Sequence, residues 1–308
     1  MKIKKPKFWN KKKPNLFAYL LFPLAFLVQF LRYRSKKTNF KKLKIKTICI
    51  GNIYIGGTGK TSLSIKLNEL LIEKKIKCCF IKKFYKDQID EQKLLKSKGK
   101  LFVSNKRIDA IKQAENENYN VAILDDGLQD SSINYDLKFI CFNTINWIGN
   151  GMTIPSGPLR EKIENLRNYQ HIFLNGNLEN LDFLKEQVHK INPNIIIHIG
   201  KYKLLNLENF NKYEKYLVFS GIGNHQTFIS MIKSYGLNIL KDMEFPDHYK
   251  YRDSDINEIL NEAKKLNCKI ITTEKDYFRM NSAYFNKILF TKTELEILDK
   301  EKFLKAVI

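Results

Sequence analysis

Residues 47–61 read TICIGNIYIGGTGKT, and this stretch decides the fold of the chain. Its first residues form an apolar, β-branched run typical of a buried strand, glycines follow, and helical periodicity begins at Lys60 and continues to residue 75. A strand, a glycine-rich loop and a helix start in this order predict a phosphate-binding loop. The end of the stretch matches the Walker A pattern, although Tyr54 occupies the position of its first glycine.

The glycines of this loop determine what it can bind. Because they lack Cβ atoms, Gly56, Gly57 and Gly59 let backbone N–H groups turn toward phosphate oxygens at a helix N-terminus. We expect Lys60 to neutralise charge on the outer phosphates of ATP and the Thr61 hydroxyl to bind Mg²⁺. A glycine-rich turn that binds no nucleotide is the alternative. The predicted ATP-binding residues are Tyr54, Ile55, Gly56, Gly57, Thr58, Gly59, Lys60 and Thr61.

A second motif lies at residues 121–129, which read VAILDDGLQ. An apolar strand that ends in two carboxylates is typical of a Walker B segment, in which a carboxylate holds Mg²⁺ directly or through water. Asp125 and Asp126 are therefore predicted metal ligands, together with Thr61. Taken alone, two acids at a strand end are also compatible with a solvated turn. Beside the phosphate loop, they predict a nucleoside triphosphate reaction with ATP and Mg²⁺ as cofactors.

Short apolar runs alternate with helical patterns from residue 44 onward. This alternation predicts an α/β fold, in which a P-loop NTPase-like domain with a mainly parallel sheet is joined to a second, smaller α/β domain. A polar stretch rich in Asn and Lys at 201–215 is the expected junction. The predicted division is an N-terminal arm at 1–43, a P-loop domain at 44–205 and a second domain at 206–308. Strands are expected at 45–50, 78–81, 121–124, 139–142, 172–174, 195–199, 216–219, 268–272 and 287–290, and helices at 60–75, 107–116, 181–190, 226–235 and 255–266.

The charge of the chain is concentrated at one end. The 308 residues carry a net charge of +22, but residues 1–46 hold 15 Lys or Arg and no acid, which leaves +7 for the rest. Only 7 of the 54 basic residues are Arg, the residue that makes bidentate contacts with bases, so the composition argues against a nucleic-acid partner. Five cysteines without metal-ligand spacing predict a reducing, cytosolic body without structural zinc.

An uncharged apolar segment, LFAYLLFPLAFLVQFL at 16–31, lies between clusters of Lys and Arg. A membrane-spanning helix needs about 20 such residues, and this segment is shorter and contains Pro23 and Gln29. We expect an N-terminal membrane-associated helix, either embedded or interfacial, whose cationic flanks are attracted by anionic lipid. A helix buried in the protein core is the alternative, and a cleaved signal peptide is disfavoured because no small-residue cleavage site follows.

The motifs together resemble one family, the tetraacyldisaccharide 4'-kinases of lipid A biosynthesis. Gly51-Asn52 and the loop after it are similar to that family's GN-x-x-x-GG-x-GKT pattern, and Asp125 to Gln129 resembles its DDGFQH segment. The resemblance runs from the apolar arm almost to the C-terminus. Further similar elements follow in the family's order, namely GNG at 149–151, PSGPLRE at 155–161, NG at 175–176, GIGN at 221–224, FPDH at 245–248 and TTEKD at 272–276.

The resemblance implies transfer of the ATP γ-phosphate to the 4' hydroxyl of a tetraacylated glucosamine disaccharide 1-phosphate, which gives a lipid IVA-type precursor. The implied location is the cytoplasmic face of the inner membrane, with the acylated disaccharide phosphate and the anionic membrane surface as partners. The family's catalytic base, the Asp of a Gly-Asp-Glu-Pro segment, matches Asp90 in Ile89-Asp90-Glu91-Gln92, where the Gly and the Pro are absent.

The resemblance also assigns the remaining site residues. Glu91 is implied as a metal ligand or a support of the metal site. Asp247 and His248 of the FPDH element are implied to be catalytic, with His248 next to Asp90 across a cleft between the domains. Gln129 and Arg160 are implied to support the site.

Two segments depart from the family's pattern. Residues 82–86, KKFYK, replace the Ser-Arg-Gly-Tyr-Gly that follows the family's second strand, and Asp130 replaces the histidine of DDGFQH. Lys82 or Lys83 would then supply positive charge in place of the family's Arg, with less directional hydrogen bonding.

Other classes of P-loop protein remain as alternatives. A membrane-associated switch ATPase of the partitioning or division-site type is the main one, although the signature Lys of that class is replaced here by Ile55. A nucleic-acid-dependent ATPase is disfavoured by the scarcity of Arg. No obligate protein partner is evident from the sequence.

Overall fold

The computed structural model describes residues 6–34, 43–85, 88–176 and 178–308. The chain forms two compact units. The larger contains Lys5–Asn175 together with Asn180–Gly200 and Ile297–Ile308, and the smaller is centred on Lys201–Glu296. The predicted division at 43/44 and 205/206 remains a prediction, and part of the predicted arm, at 1–5 and 35–42, lies outside the described residues.

The larger of the two sheets has eight strands and is mainly parallel. The predicted α/β class with a parallel sheet is confirmed. The strands are β1 (Lys46–Gly51), β2 (Cys78–Lys83), β3 (Leu101–Ser104), β4 (Val121–Asp125), β5 (Leu137–Asn143), β6 (His171–Asn175), β7 (Ile196–Leu204) and β12 (Thr293–Ile297). Their order across the sheet is β12-β7-β6-β5-β1-β4-β2-β3.

α-Helices follow several of these strands along the chain, as expected of βαβ crossovers. The connection from β5 to β6 is an exception, because its one helical element is a 3-10 helix at Ile163–Asn168. In the larger unit the α-helices that follow strands are α3 (Lys60–Glu73), α4 (Ile89–Lys98), α5 (Arg107–Asn116), α6 (Leu181–Ile191) and α10 (Lys300–Val307).

The position of the two sequence motifs follows from strand order. β1 and β4 are neighbours in parallel register, with Ile50 paired to Asp125. Their carboxyl ends therefore lie at one edge of the sheet, where ligands bind in open α/β folds. Both strands are almost wholly buried, which explains why they read as continuous apolar runs.

The smaller unit has its own parallel sheet, in the order Leu289–Thr291, Lys269–Thr273, Lys215–Ser220 and Asn238–Glu244. Two apolar clusters around this sheet give the unit its own core, one against the helix His225–Ser234 and the other against the helix Asp253–Lys265. The elements are β8 (Lys215–Ser220), β9 (Asn238–Glu244), β10 (Lys269–Thr273) and β11 (Leu289–Thr291), with helices α7 (His225–Ser234), α8 (Asp253–Lys265) and α9 (Glu274–Tyr277).

The apolar segment at 16–31 forms two consecutive helices, α1 (Leu16–Leu20) and α2 (Phe22–Arg34). Ala18 and Ala25 are buried, and the Gln29 side-chain amide donates to the backbone carbonyl of Arg160. Most of the bulky side chains point to solvent, for example Phe17 at 65% exposed. In the part of the chain that the structure describes, no helix combines the length and apolar character needed to cross a membrane.

Several elements were not expected from sequence. Strand β9 is exposed along most of its length, so it lacks the apolar run that marked the other strands. Helix α4 has a single buried residue, Leu95, and therefore shows little helical periodicity. Strand β7 extends to Leu204 and enters the stretch predicted to be a polar junction, because its pairing depends on neighbouring strands and not on its own composition.

Candidate active site

The phosphate loop joins β1 to α3. Helix α3 begins at Lys60, and its N-cap is Gly59 with φ +79°. Gly56 also has a positive φ, of 122°. Residues that carry a Cβ atom rarely adopt these backbone angles, so glycine is needed where the loop turns toward the helix N-terminus. The structure thus forms the strand, loop and helix start that the sequence predicts, with Thr58 buried within the loop.

Two asparagines hold the loop in place by hydrogen bonds to Thr58. The Asn52 side-chain amide donates to Thr58 Oγ1 over 3.0 Å, and Asn175 Nδ2 donates to the Thr58 carbonyl over 2.6 Å. Both asparagines are buried. Asn52 directly follows β1 and Asn175 is the last residue of β6, so the carboxyl ends of two strands that are far apart along the chain both contact Thr58.

The PSGPLRE segment holds the other side of the loop. The Ile55 N–H donates to the Pro158 carbonyl over 2.8 Å, and Tyr54 forms an antiparallel bridge with Leu159. Both loop residues are thereby held by backbone hydrogen bonds that do not depend on their own side chains. Tyr54 is not among the residues with a positive φ, so its backbone conformation does not require a glycine.

Thr61 and Asp125 form the oxygen pair that suits a magnesium ion. Thr61 Oγ1 lies 3.2 Å from Asp125 Oδ2, and Asp125 is 1% exposed. Among the described residues, no group of three or more His, Cys, Asp or Glu could hold a metal by itself. Mg²⁺ fits such a sparse donor set, because it is usually held by one or two protein oxygens together with water and substrate phosphates. These two residues would hold the metal of a bound nucleotide.

Asp126 faces two cations. Its carboxylate lies 3.8 Å from Lys60 Nζ and 3.0 Å from Arg160 Nη1. Burial opposes ionisation, but Lys60 and Arg160 outweigh it and lower the pKa of Asp126. Asp126 has a φ of +62°, a backbone strain that costs on the order of 1 kcal/mol and is typical of functional sites. The two predicted Walker B carboxylates therefore have different partners. Asp125 accepts from Thr61, whereas Asp126 pairs with Lys60 and Arg160.

The two supporting residues are linked to the same group. Arg160 Nη1 donates to Gln129 Oε1 over 2.7 Å, and Gln129 Nε2 donates to the Asn52 carbonyl over 3.0 Å. Arg160 thus connects the PSGPLRE segment to Asp126, and Gln129 connects it to the phosphate loop. Both predicted residues lie where they can hold the site in shape.

Glu91 pairs with a lysine in this structure. Its Oε2 accepts from Lys82 Nζ over 2.7 Å, and the same ammonium donates to Asp125 Oδ2 over 2.7 Å. Burial lowers the pKa of Lys82, but Asp125 and Glu91 outweigh it, and the pKa is raised above its ordinary value. Asp90 is exposed in the first turn of α4, directly before Glu91. Their roles as base and metal ligand stay predictions.

A cavity of about 600 Å³ lies over these groups. One of its lining residues, Arg107, was not predicted. Arg107 is 7% exposed, and its guanidinium donates to Asp130 Oδ2 over 3.1 Å and to the Asp126 carbonyl. Asp130, which stands where the family has a histidine, therefore anchors an arginine beside the Walker B turn. An Arg at the start of a helix carries no local sequence signal for this role.

Asp247 and His248 lie in the smaller unit. The His248 ring accepts at Nδ1 from Arg279 Nη2 over 3.1 Å, and Asp247 Oδ1 lies 3.7 Å from His248 Nε2. His248 has a φ of +58°, and its N–H donates to the Gly221 carbonyl. Its predicted position next to Asp90 stays a prediction.

Three of the quoted motifs meet around Asp276 in this unit. Asp276 is fully buried and accepts from the Gly221 N–H and from Thr273 Oγ1, while Arg279 Nη1 lies 3.3 Å from its Oδ1. The GIGN, FPDH and TTEKD elements are thus joined through Asp276 and Arg279. Arg279 was missed because it lies beyond the TTEKD motif.

The fold and this site define a P-loop nucleotide-binding protein of the α/β class. The family model described as tetraacyldisaccharide-1-P 4'-kinase matches residues 17–100 and 89–308 of the chain. The chain belongs to the tetraacyldisaccharide 4'-kinase family and is therefore a kinase.

Individual relatives match this chain over nearly their whole length. A tetraacyldisaccharide 4'-kinase of Pelagibacter ubique (strain HTCC1062) is 55% identical over 308 residues, covering 100% of this chain and 98% of the relative. A tetraacyldisaccharide 4'-kinase of Rickettsia felis is 32% identical over 336 residues, and the match covers 100% of this chain and 99% of that relative. The solved structure of LpxK from Aquifex aeolicus in complex with ATP has a TM-score of 0.61 at 23% identity, covers 94% of this chain and 96% of that one, and shows the same fold.

Proposed function

We propose that this chain transfers the γ-phosphate of ATP to the 4' hydroxyl of a tetraacylated glucosamine disaccharide 1-phosphate in lipid A biosynthesis. The observation that carries the proposal is the contact between Thr61 and Asp125 beside a braced phosphate loop, in a chain that belongs to the tetraacyldisaccharide 4'-kinase family. Membership of that family leaves the switch ATPase and the nucleic-acid-dependent ATPase without support.

The residues divide the work as phosphoryl transfer requires. Loop N–H groups and Lys60 would bind the outer phosphates, and Thr61 and Asp125 would hold Mg²⁺, which would supply positive charge to neutralise the charge that develops. Arg160 and Lys60 hold the Asp126 carboxylate in place beside the phosphate loop. Little covalent chemistry is left for the protein, so the positions of these groups account for most of the rate.

The acceptor hydroxyl needs a group that takes its proton. We assign this role to Asp90, an exposed carboxylate at the second residue of α4. His248 assists it, and Arg279 fixes the ring of His248, because a guanidinium can only donate a hydrogen bond. Asp247 lies on the other side of the ring. In this proposal, Asp247 and His248 are both catalytic residues, as the family resemblance implies.

The N-terminal helices place the enzyme at the membrane that contains its acylated substrate. Bulky apolar side chains of α1 and α2 are exposed, while Ala18 and Ala25 pack inward. An exposed apolar surface of this kind next to Lys11, Lys12 and Lys13 suits an interfacial site on an anionic bilayer. We propose the cytoplasmic face of the inner membrane, where ATP is present.

The function is tested by incubating the purified protein with labelled ATP, Mg²⁺ and the lipid A precursor that lacks the 4' phosphate. We expect labelled lipid, with the phosphate at the 4' position, and slow ATP hydrolysis when the acceptor is omitted. Lys60→Ala serves as the negative control. ATP hydrolysis that is stimulated by DNA, without labelled lipid, would contradict the proposal.

A further inference from the structure

Lys82 has a charged side chain that is buried beside Asp125 in the candidate active site. It lies at the end of β2 and is 2% exposed. Its ammonium is bonded to two carboxylates, at 2.7 Å to Asp125 Oδ2 and 2.7 Å to Glu91 Oε2. A lysine is almost never buried unless it is paired, so these two acids account for its presence.

Strand order brings Lys82 to this place. β2 and β4 are parallel neighbours, and Ile81 pairs with Leu124. The next residue on each strand is therefore Lys82 on one and Asp125 on the other. Glu91 reaches the same point from the first turn of α4, so Lys82 also links that helix to the sheet edge.

The pair is needed when no other cation is present. Asp125 is 1% exposed, and a buried carboxylate without a counter-charge is strongly destabilising. Lys82 supplies that charge, and Thr61 Oγ1 and Ser64 Oγ contribute weaker contacts at 3.2 and 3.5 Å. Asp125 is consequently held in one orientation by the protein itself.

The same carboxylate oxygen, Asp125 Oδ2, is near both Lys82 and Thr61. A divalent cation bound by Thr61 and Asp125 would therefore share its carboxylate with the ammonium. Two cations on one carboxylate repel each other, and the repulsion is strong in a buried site of low dielectric. Lys82 must then weaken the binding of any such metal.

We propose that Lys82 is a positioning residue that serves as a resident cation of the metal site. It orients and neutralises Asp125 before Mg²⁺ arrives, and it lowers the affinity of the site for Mg²⁺. The inference rests on the proposed function for the identity of the metal and nucleotide, but its readouts are metal binding and stability.

The first test compares wild type with Lys82→Met in the absence of phosphate transfer. We expect Lys82→Met to bind Mg²⁺ at least about tenfold more tightly, measured by calorimetry with a non-hydrolysable ATP analogue bound. The metal-free variant should unfold at a lower temperature than wild type, and saturating Mg²⁺ should raise its melting temperature by more. Lys100→Met removes an exposed lysine that is paired with Glu117 and does not line the cavity, so it is the control and should bind Mg²⁺ like wild type.

Two further variants separate charge from packing. Lys82→Gln keeps a hydrogen-bond donor without the charge, and it should also bind Mg²⁺ more tightly. Lys82→Met combined with Asp125→Asn removes both charges, and its metal-free melting temperature should exceed that of Lys82→Met alone. Unchanged or weaker Mg²⁺ binding in both single variants would overturn the proposal, as would a double variant no more stable than the single one. A wild type that binds Mg²⁺ and the analogue but phosphorylates no lipid would refute the proposed function alone.

Discussion

Arg279 Nη2 lies 3.1 Å from Nδ1 of His248. A guanidinium has no acceptor, so Nδ1 of the ring accepts and the proton of the neutral imidazole is on Nε2. The same guanidinium contacts Asp276 and the Gly221 carbonyl, which fixes its plane. His248 is thus presented with one tautomer and one ring orientation, as a histidine that handles a proton requires.

We therefore expect Arg279→Lys to lower kcat for lipid phosphorylation by roughly a hundredfold, because small misplacements of a catalytic group have effects of this size. An ammonium cannot bond to Asp276, Gly221 and His248 in one plane. The binding of ATP should be unchanged. Arg252→Lys is the control, since Arg252 lies in the same unit and its exposed side chain pairs with the nearby Asp255. Equal kcat values for Arg279→Lys and Arg252→Lys would refute the role.

Asp90→Asn should lower kcat by about 10² to 10⁴, the usual contribution of a general base. The substitution keeps the size of the side chain and removes its capacity to accept a proton. ATP affinity and melting temperature should change little, because Asp90 is exposed. Asp109→Asn, which changes an exposed acid in the first turn of α5, should have no effect on kcat. Wild-type kcat in Asp90→Asn would move the base to another residue.

Thr61→Val should weaken binding of the Mg²⁺ complex of an ATP analogue by at least about tenfold. Valine preserves the shape and the backbone N–H groups of the loop but has no oxygen for the metal. Binding of the same analogue without Mg²⁺ should be nearly unchanged. Calorimetry in the presence of Mg²⁺ or a chelator measures both, and Ser97→Ala, a hydroxyl deletion on α4, is the control. Equal loss in both conditions would show that Thr61 acts on the phosphates.

The exposed apolar surface of α1 and α2 predicts membrane binding. Replacing Phe17, Leu20 and Phe26, each more than 60% exposed, by serine should weaken binding to vesicles of phosphatidylglycerol and phosphatidylethanolamine more than a hundredfold. Each side chain contributes on the order of 1.5 kcal/mol when buried. Phe183→Ser, at an equally exposed phenylalanine on α6, is the control. Unaltered sedimentation of the triple variant with vesicles would exclude this surface as the anchor.

A buried histidine pair predicts how stability depends on pH. Burial lowers the pKa of His198 from 6.5 to about 4, and that of His171 in the same direction. The unfolded chain then binds protons more readily than the folded chain does. The contribution of this difference to the free energy of unfolding is fully present above pH 6.5 and is lost as the pH falls toward 4. The loss at His198 amounts to at most about 3 kcal/mol.

Denaturant unfolding between pH 4 and 7 measures this effect. In His198→Asn the free energy of unfolding should fall less steeply over that range, although the variant is less stable at pH 7. His189→Asn, at an exposed histidine of α6, should keep the wild-type slope. A wild-type slope in His198→Asn would mean that other groups cause the acid sensitivity.

Sequence patterns anticipated much of the fold and part of the site. Strand β1, the glycine loop and helix α3 were predicted because their signals are local: an apolar run, glycines and a helical period in adjacent residues. Helix α5 was predicted with its observed bounds, Arg107–Asn116. Elements with weak local signals, such as the exposed strand β9, were missed.

The sequence by itself determined the phosphate loop, the α/β class and the family, because each depends on residue types in short, ordered segments. Only the tertiary structure decided which side chains share a carboxylate or a ring. Lys82 meets Asp125 and Glu91, and Arg279 holds His248. Sheet order and loop contacts bring such residues together from distant parts of the chain. Their charges make them interdependent once they are buried, and composition or spacing cannot reveal this.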